Sequence, residues 1–316
     1  MQVDILCEPG ADLNEDTFFL HADDISLTAA AIDGATSVMT AQILAPLLGE
    51  LTGAAYAARH VRDRFGLTVR LPLYEMLTEA NDSLRENILA YYGSFESIVW
   101  REDALSAYAG DPRYGRAALP ACVLTLVRIK QRQLFYVHLG DTSLLLFHHD
   151  GTVTVSVGGE GRSSRGEMYT QLKALQLERG LASPSGLLDE GDIQQQRIAR
   201  RVYHNYHDAT GTPGGGVGVV NGLPGMTHYI EGGQIMLGDV AAVLVCTDGF
   251  LWPAEADETE AQVTQRLQKM RALIEADGLR GYYNRLRAAE IADFACDRYP
   301  RLKPHDDATA LLIRIS

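Results

Sequence analysis

The feature that most constrains the fold is a run of short apolar segments between residues 121 and 157. The segments are ACVLTLVRI, QLFYVHLG, SLLLFHH and TVTVSV, and the connections KQRQ, GDT and HDG have hairpin lengths. Strands joined by such short turns are antiparallel, because a parallel crossover needs a dozen or more residues. This stretch therefore predicts an antiparallel sheet of consecutive hairpins.

Helical periodicity lies on either side of this run. Residues 37–64 and 71–91 carry apolar side chains at three- and four-residue steps, which predicts a pair of amphipathic helices. A second pair is predicted over 258–276 and 280–297. Further strand-like segments are TFFLH, SLTAAAID, GQIML, VAAVLVCTDG and the final ATALLIRI. Because strands come in runs and helices in pairs, the predicted class is α+β.

Residues 158–234 have a different texture. They contain two predicted helices, 164–180 and 190–206, and the glycine-rich segment GTPGGGVGVVNGLPG (211–225), which lacks apolar periodicity. This pattern predicts an insertion or mobile flap on a single domain that spans 1–316.

Composition excludes several classes of protein. Arg and Lys number 28 against 41 Asp and Glu, and no basic stripe marks a nucleic-acid binder. The four cysteines are far apart, which argues against a zinc ribbon and fits a reducing cytoplasm. The acidic N-terminus does not resemble a signal peptide, and no apolar run approaches the about 18 residues of a membrane span. We therefore expect a cytoplasmic protein that binds neither nucleic acid nor membrane.

Aspartates stand at the ends of three predicted strands. Asp33-Gly34 ends AAAIDG, Asp248-Gly249 ends VLVCTDG, and Asp306-Asp307 precedes the last strand. A strand end is a rigid mount for a carboxylate, and glycine allows a close approach of the backbone, whose carbonyl is a further oxygen ligand. Oxygen-only sites suit magnesium or manganese. Any single Asp-Gly is also a common hairpin corner, so only the repetition favours a metal site.

These residues belong to a series of motifs by which the chain resembles the type 2C metal-dependent protein phosphatases of the bacterial type. The resemblance extends over 14–314 and implies a four-layer α/β/β/α sandwich, in which two antiparallel sheets are flanked by helix pairs and a binuclear metal centre lies at one end. The motifs follow in family order: Asn14-Glu15-Asp16, Asp33-Gly34, Gly140-Asp141-Thr142, Thr247-Asp248-Gly249 and Asp306-Asp307-Ala308-Thr309.

The resemblance also implies a ligand set for two divalent cations, Mn2+ or Mg2+. Asp33 would bridge both cations, and the carbonyl of Gly34 would bind one of them. Asp248 and Asp306 would hold the other, and Asp16 matches a further acidic position that binds the metal or its waters.

Other residues are assigned supporting roles. Glu15 and Asp307 would orient the metal-bound waters and ligands, and Asp141 would pin a hairpin near the site. His305, beside Asp306, is a candidate proton carrier. With Asp33 and Asp248 it completes the predicted catalytic set.

The function implied is hydrolysis of phosphoserine or phosphothreonine in phosphoprotein substrates, in signalling. Two cations lower the pKa of a shared water to about 7, so a metal-bridging hydroxide attacks phosphorus in line. No phosphoenzyme is required, and the sequence does not indicate an oligomeric state.

Two departures from the family pattern leave an alternative open. Ala11 stands where members carry a phosphate-binding arginine, and Ala35 stands where many carry a histidine. Arg162 or Arg165 is the nearest candidate to replace the missing contact with substrate phosphate. The alternative is a catalytically impaired regulatory or binding module that keeps the metal site.

A different phosphatase chemistry is suggested only by spacing. Cys122 and Arg128 have the C-x5-R spacing of cysteine-dependent phosphatases, but the intervening VLTLV predicts a strand instead of a phosphate-binding loop. The glycines of 214–218 are not followed by Gly-Lys-Ser/Thr, which favours a flexible hinge over a phosphate loop.

Overall fold

The structure is a computed structural model of the chain, and its described residues form two compact units. The terminal unit comprises Met1–Asn14, Asp141–Ile193 and Leu237–Ser316, and the central unit comprises Glu15–Gly140 and Gln194–Met236. No helix within the described residues is long and apolar enough to cross a membrane. The described residues are 1–35, 45–92, 119–158, 172–187, 201, 204–207, 210–214, 216–255, 258–301 and 303–315.

The central unit is an antiparallel sheet with helices packed against it. The strand order is β2-β3-β4-β5-β8. Helices α2 and α3 bury side chains such as Phe65 and Leu84 in one apolar cluster with Ile32 and Leu124 of the sheet. The elements of this unit are β2 (Thr17–Ala22), β3 (Ser26–Gly34), α1 (Ala45–Leu48), α2 (Gly53–Thr68), α3 (Leu73–Tyr92), β4 (Cys122–Lys130), β5 (Gln133–Leu139) and β8 (Glu231–Met236).

The terminal unit repeats this plan with other strands. Its antiparallel sheet has the order β1-β10-β9-β6-β7. The long helix α5 packs Ile274 and Leu286 against an apolar cluster that includes Leu244 and Leu312 of the sheet. The elements of this unit are β1 (Gln2–Glu8), β6 (Ser143–His148), β7 (Val153–Val157), α4 (172–179), β9 (Val240–Cys246), α5 (Glu260–Ala292) and β10 (Ala308–Arg314).

Local signals account for the helix boundaries. The side chain of Thr52 accepts a hydrogen bond from the Ala55 amide and caps α2, so the single helix predicted over 37–64 is divided between α1 and α2. Residues 36–44 lie outside the described ranges. Thr259 caps α5 through a capping box with Gln262, and Gly278 (φ 70°, ψ 178°) divides α5 into the two predicted helices.

The predicted fold class is confirmed, but one predicted pairing between strands is wrong. The α+β class with two antiparallel sheets holds, and the β4–β5 and β6–β7 turns are hairpins. The predicted hairpin at Gly140-Asp141-Thr142 is wrong, because β5 pairs with β4 and β8 whereas β6 pairs with β7 and β9. Asp141 therefore belongs to a connection from one sheet to the other and pins no hairpin.

The glycine-rich end of the predicted flap is packed into the central unit. Val219, Val220 and Leu223 are at most 2% exposed, and the Val220 amide bonds to the Cys122 carbonyl at 2.8 Å. The Asn81 side chain donates to the Leu223 carbonyl at 3.1 Å. Residues 219–223 are therefore packed against β4 and α3, which the lack of apolar periodicity did not indicate. The flap boundaries of 158 and 234 stay a prediction.

Candidate metal centre

The central unit brings its predicted acidic residues together at one strand end. Thr17 is paired with Ile32, so Asp16 and Glu15 lie opposite Asp33 and Gly34 in the continued register. The approach is close, because a Cβ added at Gly34 would lie 2.5 Å from the Glu15 carbonyl oxygen. Asp16 is 6% exposed. Strand pairing therefore brings these four residues to one strand end, and their role as cation ligands stays a prediction.

Glu15 is held by Thr52, the residue that caps the N-terminus of α2. Its carboxylate accepts a hydrogen bond from the Thr52 hydroxyl at 2.5 Å, and the same hydroxyl oxygen accepts from the Ala55 amide at 3.1 Å. The N-terminus of α2 therefore orients the Glu15 carboxylate.

An arginine that the sequence did not single out lies beside this strand end. The guanidinium of Arg201, which is 7% exposed, donates to the carbonyl of Ala35. Ala35 is two residues beyond Asp33, so a buried positive charge faces the backbone next to the predicted ligands. No sequence signal near Arg201 indicates this contact, which joins positions 166 residues apart. Arg162 and Arg165, the predicted substitutes, lie outside the described residues.

The terminal unit forms a second acidic strand end. Asp248 follows β9 in a short 3-10 turn, and Asp306 and Asp307 directly precede β10, which pairs with β9. The Thr247 amide donates to the Thr309 carbonyl at 2.9 Å and so continues the pairing toward Asp248. A Cβ added at Gly249 would lie 1.9 Å from the Asp307 carbonyl oxygen and 3.0 Å from the Asp306 Cβ.

The Asp307 side chain binds the loop that follows β1. Its Oδ1 accepts from the Gly10 amide at 2.6 Å. A Cβ at Gly10 would lie 2.4 Å from the Asp306 carbonyl carbon, so the two backbones are packed together. This contact places the loop that contains Ala11 next to Asp306, and the supporting role of Asp307 stays a prediction.

Basic side chains surround the loop that contains Asp306. Lys303 Nζ lies 2.6 Å from Asp306 Oδ1, and the Arg287 guanidinium donates to the Asp306 carbonyl. His305 Nδ1 lies 3.1 Å from Oε2 of Glu290, which is 6% exposed and also pairs with Arg287. His305 is therefore tied to a helix carboxylate, and its proposed proton-carrying role stays a prediction.

The cysteines beside the two acidic strand ends, Cys122 and Cys246, are fully buried. Burial raises the pKa of the Cys122 thiol, and the charge of Asp33 raises it further; burial and Asp248 do the same for Cys246. Arg128 donates to the backbone carbonyls of Leu71 and Val69. The strand interpretation of the C-x5-R segment is confirmed.

The donor chemistry fits magnesium or manganese. Each strand end offers carboxylates together with a glycine whose backbone is closely packed, and hard oxygen ligands are what these cations prefer. Within the described ranges no three side chains of His, Cys, Asp or Glu are gathered as one metal-holding group.

Comparisons with known proteins identify the family and the fold. The chain matches the protein phosphatase 2C family model over residues 10–294. The serine/threonine phosphatase of S. agalactiae is 11% identical, with 100% of this chain and 99% of that chain covered and a TM-score of 0.51. A bacterial serine phosphatase with a point mutation is 10% identical over 100% and 99%, also at 0.51.

These two structural likenesses establish a shared fold, and among the curated proteins no sequence matches. The family match takes in Asp33, Asp248, the whole central sheet and strands β6, β7 and β9 of the terminal sheet, whereas β1, β10 and Asp306-Asp307 lie outside it. The chain therefore belongs to the protein phosphatase 2C family.

Proposed function

We propose that this chain is a metal-dependent protein phosphatase that hydrolyses phosphoserine and phosphothreonine in protein substrates. The observation that carries the proposal is that Asp33-Gly34 and Asp248-Gly249, both inside the family match, share one construction. In both, Asp-Gly follows a buried apolar strand and the glycine packs against an acidic segment. A member of the family that had lost its activity would not need to keep both Asp-Gly dipeptides.

We assign the cation ligands by unit. In the central unit they are Asp16, Asp33 and the carbonyl of Gly34, and in the terminal unit they are Asp248 and Asp306. Two bound Mn2+ or Mg2+ ions would supply Lewis-acid activation of the phosphate ester and of the attacking water.

The supporting residues act through contacts that the structure already contains. Thr52 fixes the Glu15 carboxylate, and Asp307 holds the Gly10 amide, so both acidic segments are restrained before a cation or substrate binds. His305 could exchange a proton with the Glu290 carboxylate at 3.1 Å. We keep Arg162 and Arg165 as the proposed contacts with substrate phosphate.

The compartment is also part of the proposal. None of the four cysteines forms a disulfide bond, which fits a reducing compartment. We infer a cytoplasmic signalling role, in which the enzyme reverses the action of a protein kinase.

Turnover of p-nitrophenyl phosphate and of a phosphoserine peptide would test the proposal. We expect hydrolysis with Mn2+ or Mg2+, its loss in excess chelator, and its recovery when Mn2+ is restored. Full turnover in excess chelator would contradict the metal-dependent mechanism.

A second candidate function is favoured by one observation, the alanine at position 11. A chain that binds Mn2+ by calorimetry but hydrolyses neither substrate would be a regulatory or binding module. The variant Ala11→Arg separates the cases further. If the missing guanidinium limits an active enzyme, this variant lowers KM for the phosphopeptide, whereas it leaves a module without active chemistry inactive.

A further inference from the structure

The Asp306 carboxylate is paired with a cation from its own loop. Lys303 Nζ lies 2.6 Å from Asp306 Oδ1, and the same oxygen accepts from the Asp307 amide at 3.0 Å. Lys303 and Asp306 are three positions apart in the chain, so the ammonium group stays close to the Asp306 carboxylate.

The backbone around this pair is fixed. Arg287 donates to the Asp306 carbonyl, and Arg301 Nε donates to the Pro304 carbonyl at 3.1 Å. Arg301 also pairs with Asp293 at 2.8 Å, and both side chains are 12% exposed. The backbone that carries Lys303 and Asp306 is therefore restrained, because a large movement would break the contacts of Arg287 and the buried ion pair of Arg301 with Asp293.

We propose that Lys303 is an internal counter-cation that neutralises Asp306 when no divalent cation is bound and that competes with the cation for this carboxylate. The inference rests on the proposed role of Asp306 as a metal ligand. An ammonium group only donates hydrogen bonds, so Lys303 cannot itself become a ligand. Since its positive charge repels an arriving cation, the pair lowers the metal affinity of the terminal-unit ligands.

The size of the effect follows from exposure. The side chains of Lys303 and Asp306 are 32% and 42% exposed, so the pair is a partly solvated one. Pairs of this kind contribute modestly, and removal of Lys303 should tighten Mn2+ binding roughly two- to five-fold. Salt screens such a charge, so the difference should shrink at high ionic strength.

Calorimetric titration of Mn2+ into the full, chelator-treated chain tests the proposal. Lys303→Met should bind tighter than wild type, and Lys303→Arg, which keeps the charge, should stay near wild type. The matched control is Lys173→Met, because Lys173 pairs with Asp297 in the same unit at a similar exposure of 28% and touches no predicted ligand. Its affinity should stay within the error of the wild type.

The outcomes separate this inference from the proposed function. If wild type binds Mn2+ and Lys303→Met binds no more tightly than Lys173→Met, the inference fails and the phosphatase proposal stands. Weaker binding in Lys303→Met also overturns it, since Lys303 would then position Asp306 for the cation. If neither wild type nor Lys303→Met binds Mn2+, both proposals fall.

Discussion

The chain uses the Asp-Gly dipeptide in two physically different ways. At Asp150-Gly151 and Asp277-Gly278 the glycine has a φ of +93° and +70°, and nothing lies within 4 Å of an added Cβ. At Asp33-Gly34 and Asp248-Gly249 neither glycine has a positive φ, and an added Cβ would lie 2.5 Å and 1.9 Å from a backbone oxygen. The first pair needs glycine for its conformation and the second needs it for space.

The reason for the glycine distinguishes an Asp-Gly turn from an Asp-Gly at a proposed cation ligand. A hairpin corner or helix kink requires only the left-handed conformation, so its aspartate faces solvent and bonds locally, as Asp150 does with Thr152 at 2.8 Å. A closely packed Asp-Gly instead presses one acidic segment against another, as Gly249 does against Asp307. The composition of the dipeptide is identical, and only the packing separates the two turns from the two proposed ligand positions.

Metal binding should separate the two kinds of aspartate most strongly. We expect Asp33→Asn and Asp248→Asn each to weaken Mn2+ binding by at least roughly 100-fold, because a ligand is lost where even supporting residues contribute 10- to 100-fold. Asp150→Asn, the matched control, should bind as wild type does. Calorimetric titration gives affinity and stoichiometry for all three.

The same variants should remain folded without metal. Neutralising one carboxylate of an acidic group relieves repulsion, so the melting temperature of Asp33→Asn or Asp248→Asn should be unchanged or slightly higher. Wild-type affinity and stoichiometry in either variant would remove that aspartate from the ligand set.

Stability should separate the two kinds of glycine. Gly249→Ala should lower the free energy of unfolding by about 3 kcal/mol, because the new methyl group meets the Asp307 backbone. Gly151→Ala meets no atom and should cost only about 1 kcal/mol for its left-handed conformation. Urea denaturation of both variants measures the difference. Equal losses would show that the close approach at Gly249 relaxes easily.

The sequence predicted the parts of the fold that depend on local pattern. Strand alternation, the two helix pairs and the strand-end aspartates were all visible in short windows. It did not predict that β5 and β6 belong to different sheets, since both are short, apolar and joined by a turn-like Gly140-Asp141-Thr142. Strand β1 was missed as well, although its partner β10 was predicted.

The remaining errors concern contacts between distant residues. The glycine-rich segment lacks periodicity, yet Asn81 and Asn205 bond its backbone from 142 and 14 residues away. The contact of Arg201 with Ala35 spans 166 residues. In contrast, the pair of Lys303 with Asp306 is local, and the motif Lys-Pro-His-Asp could have suggested it.

The smallest expected effect concerns the hairpin corner itself. Asp150 Oδ1 accepts from the Thr152 hydroxyl at 2.7 Å and from the Thr152 amide at 2.8 Å, and these bonds lower the pKa of the Asp150 carboxyl. A carboxyl with a folded-state pKa below its unfolded value stabilises the fold above the unfolded pKa, and this contribution disappears as the pH falls through the folded pKa. Asp150→Ala should therefore be slightly less stable than wild type at pH 7, and the gap should narrow below about pH 4. Urea midpoints of the two proteins at pH 7 and at the lowest pH where both stay folded would measure it. A gap that is independent of pH would mean that the turn gains nothing from the charged form of Asp150, and that Gly151 alone determines the corner.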